Sequence, residues 1–253
     1  MTAANGVRPR IKRAARWALT VGVAGAAMLG LGKRGWIPGS YRLRVWVSEQ
    51  RHAMRIEGFG RERGGVPAGA VVFLGSSTVE GFPFDRVYPN AICLNRGVGG
   101  DTTLGLLRRL DVSLPTARPS GVVIYSGAND LRAFHQEPAA IVRAMADVLD
   151  GIAARFSGLP VALVATMPVC EPAPGDAARL RALNEGLRAL AIEKGASFIA
   201  TERAPLMLAD GRLDPALSLD GEHLNEGGYA VLARFIAEDG GAATAALRGV
   251  PSR

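Results

Sequence analysis

A serine, a histidine and a carboxylate stand in this chain where they could together move an acyl group. Ser77 lies at the end of Val71-Val72-Phe73-Leu74-Gly75-Ser76-Ser77-Thr78, four apolar residues running straight into a turn signal. Such a run reads as a buried strand of a parallel sheet, and chemistry in those sheets gathers where strands end. Ser77 is therefore expected on a tight turn with its hydroxyl in the cleft. The plainer reading is that Ser76 and Ser77 cap the next helix. A serine hydroxyl is a weak nucleophile and needs a base within reach. The sequence holds three histidines, His52, His135 and His223. His52 falls in a basic helical stretch, and His135 in a polar loop with no carboxylate at a suggestive spacing. His223 has Asp220 three residues earlier, close enough on one turn to orient the imidazole and stabilise its charged form. The tetrahedral intermediate of acyl transfer also needs donors aimed at its oxyanion. The candidates are the Ser77 N–H, the Gly100 N–H and the Asn129 side-chain amide. Gly100 has no side chain to block a close backbone approach.

Strands alternating with helical stretches must position these groups, the pattern of a parallel α/β sheet. Strands are expected at about 70–75, 91–95, 121–126, 161–166 and 197–200. One helix should start after Asp101-Thr102, and another should span roughly 138–156. A third should run from Asp176, a good cap, to Lys194, where Gly195 ends it. The last should begin near Glu226 and carry Tyr229, Leu232, Phe235 and Ile236 on an apolar stripe.

Four motifs stand at the ends of these elements: Gly75-Ser76-Ser77-Thr78, Asn95-Arg96-Gly97-Val98-Gly99-Gly100-Asp101, Gly127-Ala128-Asn129-Asp130 and Asp220-Gly221-Glu222-His223. Their order resembles the SGNH (GDSL-type) hydrolase superfamily, whose four blocks centre on Ser, Gly, Asn and His. Here those fall on Ser77, Gly100, Asn129 and His223, with Asp220 completing the triad. The match spans about residues 69–237, and the stretch from Asp220 to Tyr229 is especially like the family's last block. One departure is Ser76, where the family usually has Asp. The resemblance implies a three-layer, flavodoxin-like α/β fold with a five-stranded parallel sheet. It also implies a serine hydrolase that cleaves carboxylic esters with no metal and no cofactor. Substrates in the superfamily range from acetyl esters on sugars to lysophospholipids, so the partner is a small-molecule, lipid or glycan ester. Two rival readings stand beside it. One is a catalytically silent binding or scaffolding module on the same fold. The other is a nucleotide-binding protein using residues 95–101 as a phosphate loop, which lacks both the Gly-Lys-Ser/Thr ending and a dinucleotide Gly-x-Gly-x-x-Gly.

The net charge of +7 is unevenly spread. Residues 1–63 hold 13 Lys+Arg against 3 Asp+Glu, which leaves 17 against 20 for the rest. A nucleic-acid-binding domain would carry its positive charge on the folded body, so that class is set aside. A basic stretch beside an apolar one is better matched to anionic lipid. Arg8, Arg10, Lys12, Arg13 and Arg16 precede an uncharged run from Trp17 to Gly32. Sixteen residues rise only about 24 Å as a helix, but Trp17 and Trp36 bracket a longer span, and Lys33 and Arg34 can snorkel. The division expected is a basic tail over 1–16, a membrane-anchor helix over 17–36, a basic juxtamembrane helix and linker over 37–65, and the hydrolase domain over 66–253. A cleaved signal peptide ending at Ala24-Gly25-Ala26 is the alternative to the anchor. The denser early cluster favours an inside N-terminus and an extracytoplasmic, periplasmic body. Residues 41–63, with Leu43, Trp46, Val47, Met54 and Ile56 apolar, could lie on the membrane or pack on the body. Two cysteines, Cys93 and Cys170, make no disulfide framework.

Overall fold

The computed structural model describes residues 40–248, with side chains from residue 50 onward. The expected anchor over 17–36 therefore lies outside the described residues. Among those described, no helix is long and apolar enough to cross a membrane. The chain divides into two units, residues 1–54 and 55–253. In the first, the described residues form the start of helix α1 (Ser40–Glu62), whose last two turns belong to the second.

Five short strands build the second unit: β1 (Val71–Gly75), β2 (Cys93–Gly97), β3 (Gly121–Tyr125), β4 (Val161–Val164) and β5 (Ser197–Ile199). All pair in parallel, in the order β2-β1-β3-β4-β5. This is the doubly wound order, in which the chain leaves β1 for one side and returns to the other, opening a crevice at the strands' carboxyl ends. Alternation along each strand splits the core into two layers. Val71 and Phe73 of β1 face one layer with Val123 and Tyr125 of β3. Val72 and Leu74 face the other with Val122 and Ile124.

The second layer is closed by α4 (Thr103–Arg108), α7 (Pro138–Arg155) and α8 (Asp176–Lys194). The first is closed by α9 (Glu226–Asp239) and by an aromatic knot around α2 (Ser77–Glu80) and α3 (Phe84–Val87). Phe73 meets Phe84 at 4.5 Å between ring centres, and Phe82 meets the edge of Tyr229 at 5.2 Å. Short helices α5 (Leu110–Ser113) and α6 (Ala128–Arg132) complete the set.

The sheet, α7 and α8 lie where the sequence pattern puts them, with two corrections. Strand β2 is Cys93–Gly97, two residues later than 91–95. The expected strand stops at Asn95 because Asn95 and Arg96 are polar and open a Gly-rich motif. They stay in the strand because side chains of residues 55–62 cover that edge and satisfy them: Arg55 donates to Asn95 Oδ1 at 3.0 Å, and Arg96 pairs with Glu62 at 2.9 Å. The N-cap of α8 is Gly175 in the left-handed region, not Asp176, whose carboxylate instead accepts the Ala173 N–H at 3.0 Å. For residues 55–62 the packed alternative holds. Phe59, absent from the apolar positions picked by sequence, is buried, while Met54 is 58% exposed.

Gly97 marks how tightly α2 lies on β2. A Cβ there would come within 2.1 Å of the Glu80 backbone nitrogen and 2.6 Å of the Val79 carbonyl carbon. Backbone against backbone cannot swing aside. Gly97→Ala should lower stability by about 1–3 kcal/mol, read as an earlier urea midpoint with an unchanged m-value.

Candidate active site

Register brings the motifs together. Gly75 pairs with both Gly97 and Tyr125, so the ends of β2, β1 and β3 are level. Two residues on from Gly75 comes Ser77, three on from Gly97 comes Gly100, and four on from Tyr125 comes Asn129.

The histidine arrives from the far end of the chain, and α9 delivers it. Tyr229 on that helix donates its hydroxyl to the Thr78 carbonyl at 3.0 Å, next to Ser77. Burial pushes the Tyr229 phenol up to about 12, so it stays a neutral donor. Tyr88 adds a second tie, donating to the Ala233 carbonyl at 2.6 Å. The loop before α9 is closed by Ser218, whose hydroxyl donates to the His223 carbonyl at 2.9 Å and accepts the Gly221 N–H at 2.8 Å. Asn225 then caps α9 by accepting the Gly228 N–H at 3.0 Å.

With both ends fixed, Ser77 Oγ lies 2.9 Å from His223 Nε2. On the other side of the ring, His223 Nδ1 lies 2.8 Å from Asp220 Oδ2. Asp220 Oδ1 accepts the backbone N–H groups of His223 at 2.8 Å and Glu222 at 3.0 Å. The His223 backbone donor, then the His223 ring, hold the Asp220 carboxyl down to about 2. It remains an anion throughout the range in which an imidazole acts as a base. The three side chains have the mutual geometry of a hydroxyl, its base and the group that orients the base.

The candidate oxyanion donors lie on the segments that follow β1, β2 and β3. Ser77 is the first residue of α2, where a helical N–H has no intrahelical partner. Gly100 holds φ +78 and is largely exposed. An ideal Cβ on its neighbour Gly99 would sit 4.0 Å from Ser77 Cβ, which places this loop against the serine. Asn129 spends one amide hydrogen on the Asp101 carbonyl at 2.8 Å, leaving the second free to point elsewhere.

The family model for the GDSL-like lipase/acylhydrolase family matches residues 73–231. The chain belongs to this family. It is an ester hydrolase of the GDSL type. No curated protein matches it. Among solved structures, one from Streptococcus pneumonia described for platelet activating factor superposes with a TM-score of 0.72 at 20% identity, covering 79% of this chain and 97% of its own. A GDSL-like lipase from Bacteroides thetaiotaomicron superposes at 0.58 with 22% identity, covering 75% and 95%. An acetyl-xylooligosaccharide esterase from Geobacillus Stearmophilus gives 0.56 at 16% identity, covering 74% and 98%. At these identities the likeness is one of fold.

Ser76 takes the N-cap position of α2 in this acylhydrolase, but its hydroxyl makes no capping bond. It is buried, whereas Ser77 is partly open and faces His223. Helix capping therefore does not account for the pair of serines. Sequence reasoning also missed the groups that hold the Gly100 loop. Arg109 and Asp101 form a buried ion pair at 2.7 Å, and the same guanidinium donates to the carbonyls of Gly75 and Arg96, both at 3.0 Å. Burial lowers the pKa of Arg109, and the Asp101 carboxylate opposes that shift. Breaking such a pair from one side leaves a stranded charge, typically at about 3–5 kcal/mol. In sequence the two stand eight apart, on either side of α4, with nothing local to pair them.

Two cavities open beyond the sheet edge. One, about 850 Å³, is lined by Asn129, Arg132, Val169, Asp220 and Glu222 among others, and so adjoins the site. The second, about 890 Å³, shares Arg132 and Val169 but is lined by none of Ser77, Asp220 and His223. The first reaches the site through Asp220 and Asn129, and neither cavity is lined by Ser77 or His223. Arg132 stands between the two, paired with Glu222 at 2.8 Å.

Proposed function

We propose that the hydrolase cleaves carboxylic esters through an acyl-enzyme formed on Ser77. His223 takes the Ser77 proton as the oxygen attacks the ester carbonyl, then returns it to the leaving alcohol. Water repeats the sequence in reverse and releases the carboxylic acid. Asp220 fixes the imidazole with Nδ1–H toward itself, leaving Nε2 free to accept. The Ser77 N–H, the Gly100 N–H and the free hydrogen of the Asn129 amide stabilise the oxyanion. The observation that carries this reading is the continuous chain of contacts Ser77–His223–Asp220 at 2.9 and 2.8 Å. A silent scaffold would have no need to keep the chain intact.

The substrate class is an acyl ester of the simple esterase, lysophospholipase or sugar O-acetyl type. The adjoining open groove and a basic N-terminal region with an uncharged run favour an ester of the cell envelope. A single membrane helix over 17–36, with the body outside the cytoplasm, is part of the same proposal.

The test is turnover of p-nitrophenyl esters of graded chain length by the full-length protein, followed against pH. Where chemistry limits the rate, activity should rise with pH as the histidine loses its proton. Asp220 should contribute no second step, because its carboxyl is held at about 2. A flat profile from about pH 5 to 8 would remove the histidine base.

A further inference from the structure

We infer that Arg55, on a helix lying before the family's domain, is a positioning residue for the loop that presents Gly100 to the oxyanion. The inference rests on the reading of Gly100 as an oxyanion donor. The matched family region begins at residue 73, so Arg55 lies before it.

The observation is a polar cluster joining three separate segments. Arg55 Nε donates to the Gly97 carbonyl, and its Nη2 donates to Asn95 Oδ1 at 3.0 Å. The same Asn95 oxygen accepts the Gly97 N–H at 3.0 Å, and Asn95 Nδ2 donates to the Glu80 carbonyl at 3.0 Å. The Glu80 carboxylate lies 3.9 Å from the Arg55 guanidinium and accepts the Gly99 N–H. Glu80 ends the four-residue helix that Ser77 begins. The cluster therefore fixes the serine's helix directly to the residues on either side of Val98, immediately before Gly100.

Arg55 is the member that arrives from outside, and its own position is set. The Phe59 ring one turn later is buried, with the guanidinium carbons of Arg55 at 5.4 Å, Arg96 at 4.6 Å and Arg109 at 5.8 Å from its centre. An aromatic face lets three cations sit close together. Arg109 in turn holds Asp101, the residue after Gly100. The loop is thus gripped before Gly100 by Arg55 with Glu80, and after it by Arg109. Gly100 itself is at a positive φ, with nothing within 4 Å of where a Cβ would stand, and the turn that holds it is closed by the Asp101 N–H donating to the Val98 carbonyl at 3.1 Å.

A donor displaced by a fraction of an ångström loses much of its worth, since transition-state stabilisation depends on fixed geometry. Full-length Arg55→Ala should lower kcat by about 10- to 100-fold, counted per active site titrated with a fluorophosphonate, with KM within about twofold. Arg55→Lys, which can meet one acceptor but not the fork of two, should recover part of the loss. Glu80→Gln, keeping an oxygen for the Gly99 N–H, should lose less than Glu80→Ala. A purely structural role would reduce the titrated fraction and the melting temperature and leave kcat per site unchanged. That result, or kcat within twofold in both Arg55→Lys and Glu80→Ala should Arg55→Ala not fold, overturns the inference. A normal Arg55→Ala beside an inactive Ser77→Ala sinks this inference alone. Full turnover by Ser77→Ala sinks the catalytic reading and this inference with it.

Discussion

Ser77→Ala should abolish ester hydrolysis, a fall in kcat on the order of 10⁶-fold if the triad acts as a unit. Ser76→Ala should keep most of it. The two hydroxyls are neighbours in sequence but differ in what surrounds them. Ser77 Oγ touches the imidazole at 2.9 Å, while the Ser76 side chain is buried at the helix start with no capping bond to lose. A capping serine replaced by alanine usually costs about 1 kcal/mol. Here the change should fall below that, visible as a small drop in melting temperature and not as lost turnover. Initial rates on a short p-nitrophenyl ester, with the two variants side by side, decide it. The reverse ranking would transfer the nucleophile to Ser76.

Asp220→Asn should lower kcat by about 10²- to 10⁴-fold and leave the fold intact. The reason is tautomeric. One Asp220 oxygen takes two backbone N–H groups, and the other takes the imidazole Nδ1. An asparagine must keep its carbonyl oxygen toward the two backbone donors, which turns its NH₂ toward the ring. Nδ1 then becomes the acceptor, the proton moves to Nε2, and the ring offers Ser77 a donor where a base is needed. Raising the pH cannot correct this, because the neutral ring is already in the wrong form. The variant should therefore stay slow across the alkaline range, where the parent is on its plateau. Recovery of the parental rate at high pH would mean that Asp220 only tunes the ring's charge.

Strands β1, β3 and β4 were legible because they are short apolar runs bounded by turn residues. The contact between Ser77, His223 and Asp220 was legible because these residues sit at a strand end or before a helix, where position alone implies a cleft. What escaped was polar. Asn95 and Arg96 lie within β2 although their side chains argue for a loop, and only tertiary partners from residues 55–62 make them strand residues. Phe59 sits between two glycines, which weakens any helical stripe, yet it becomes a buried contact of three arginines. Arg109 is one arginine among many in the sequence, and nothing local says that it will be buried against Asp101. Ser218 is likewise an ordinary loop serine until its hydroxyl is seen closing the turn that carries His223. Apolar pattern thus locates the frame, whereas the braces that aim the reacting groups depend on contacts between distant segments.

The most direct test is to react the full-length protein with a fluorophosphonate and map the adduct by peptide mass spectrometry. A single adduct on Ser77, absent when His223 is replaced by alanine, is the predicted result. An adduct on Ser76 or elsewhere, or labelling of Ser77 that persists without His223, would contradict the account.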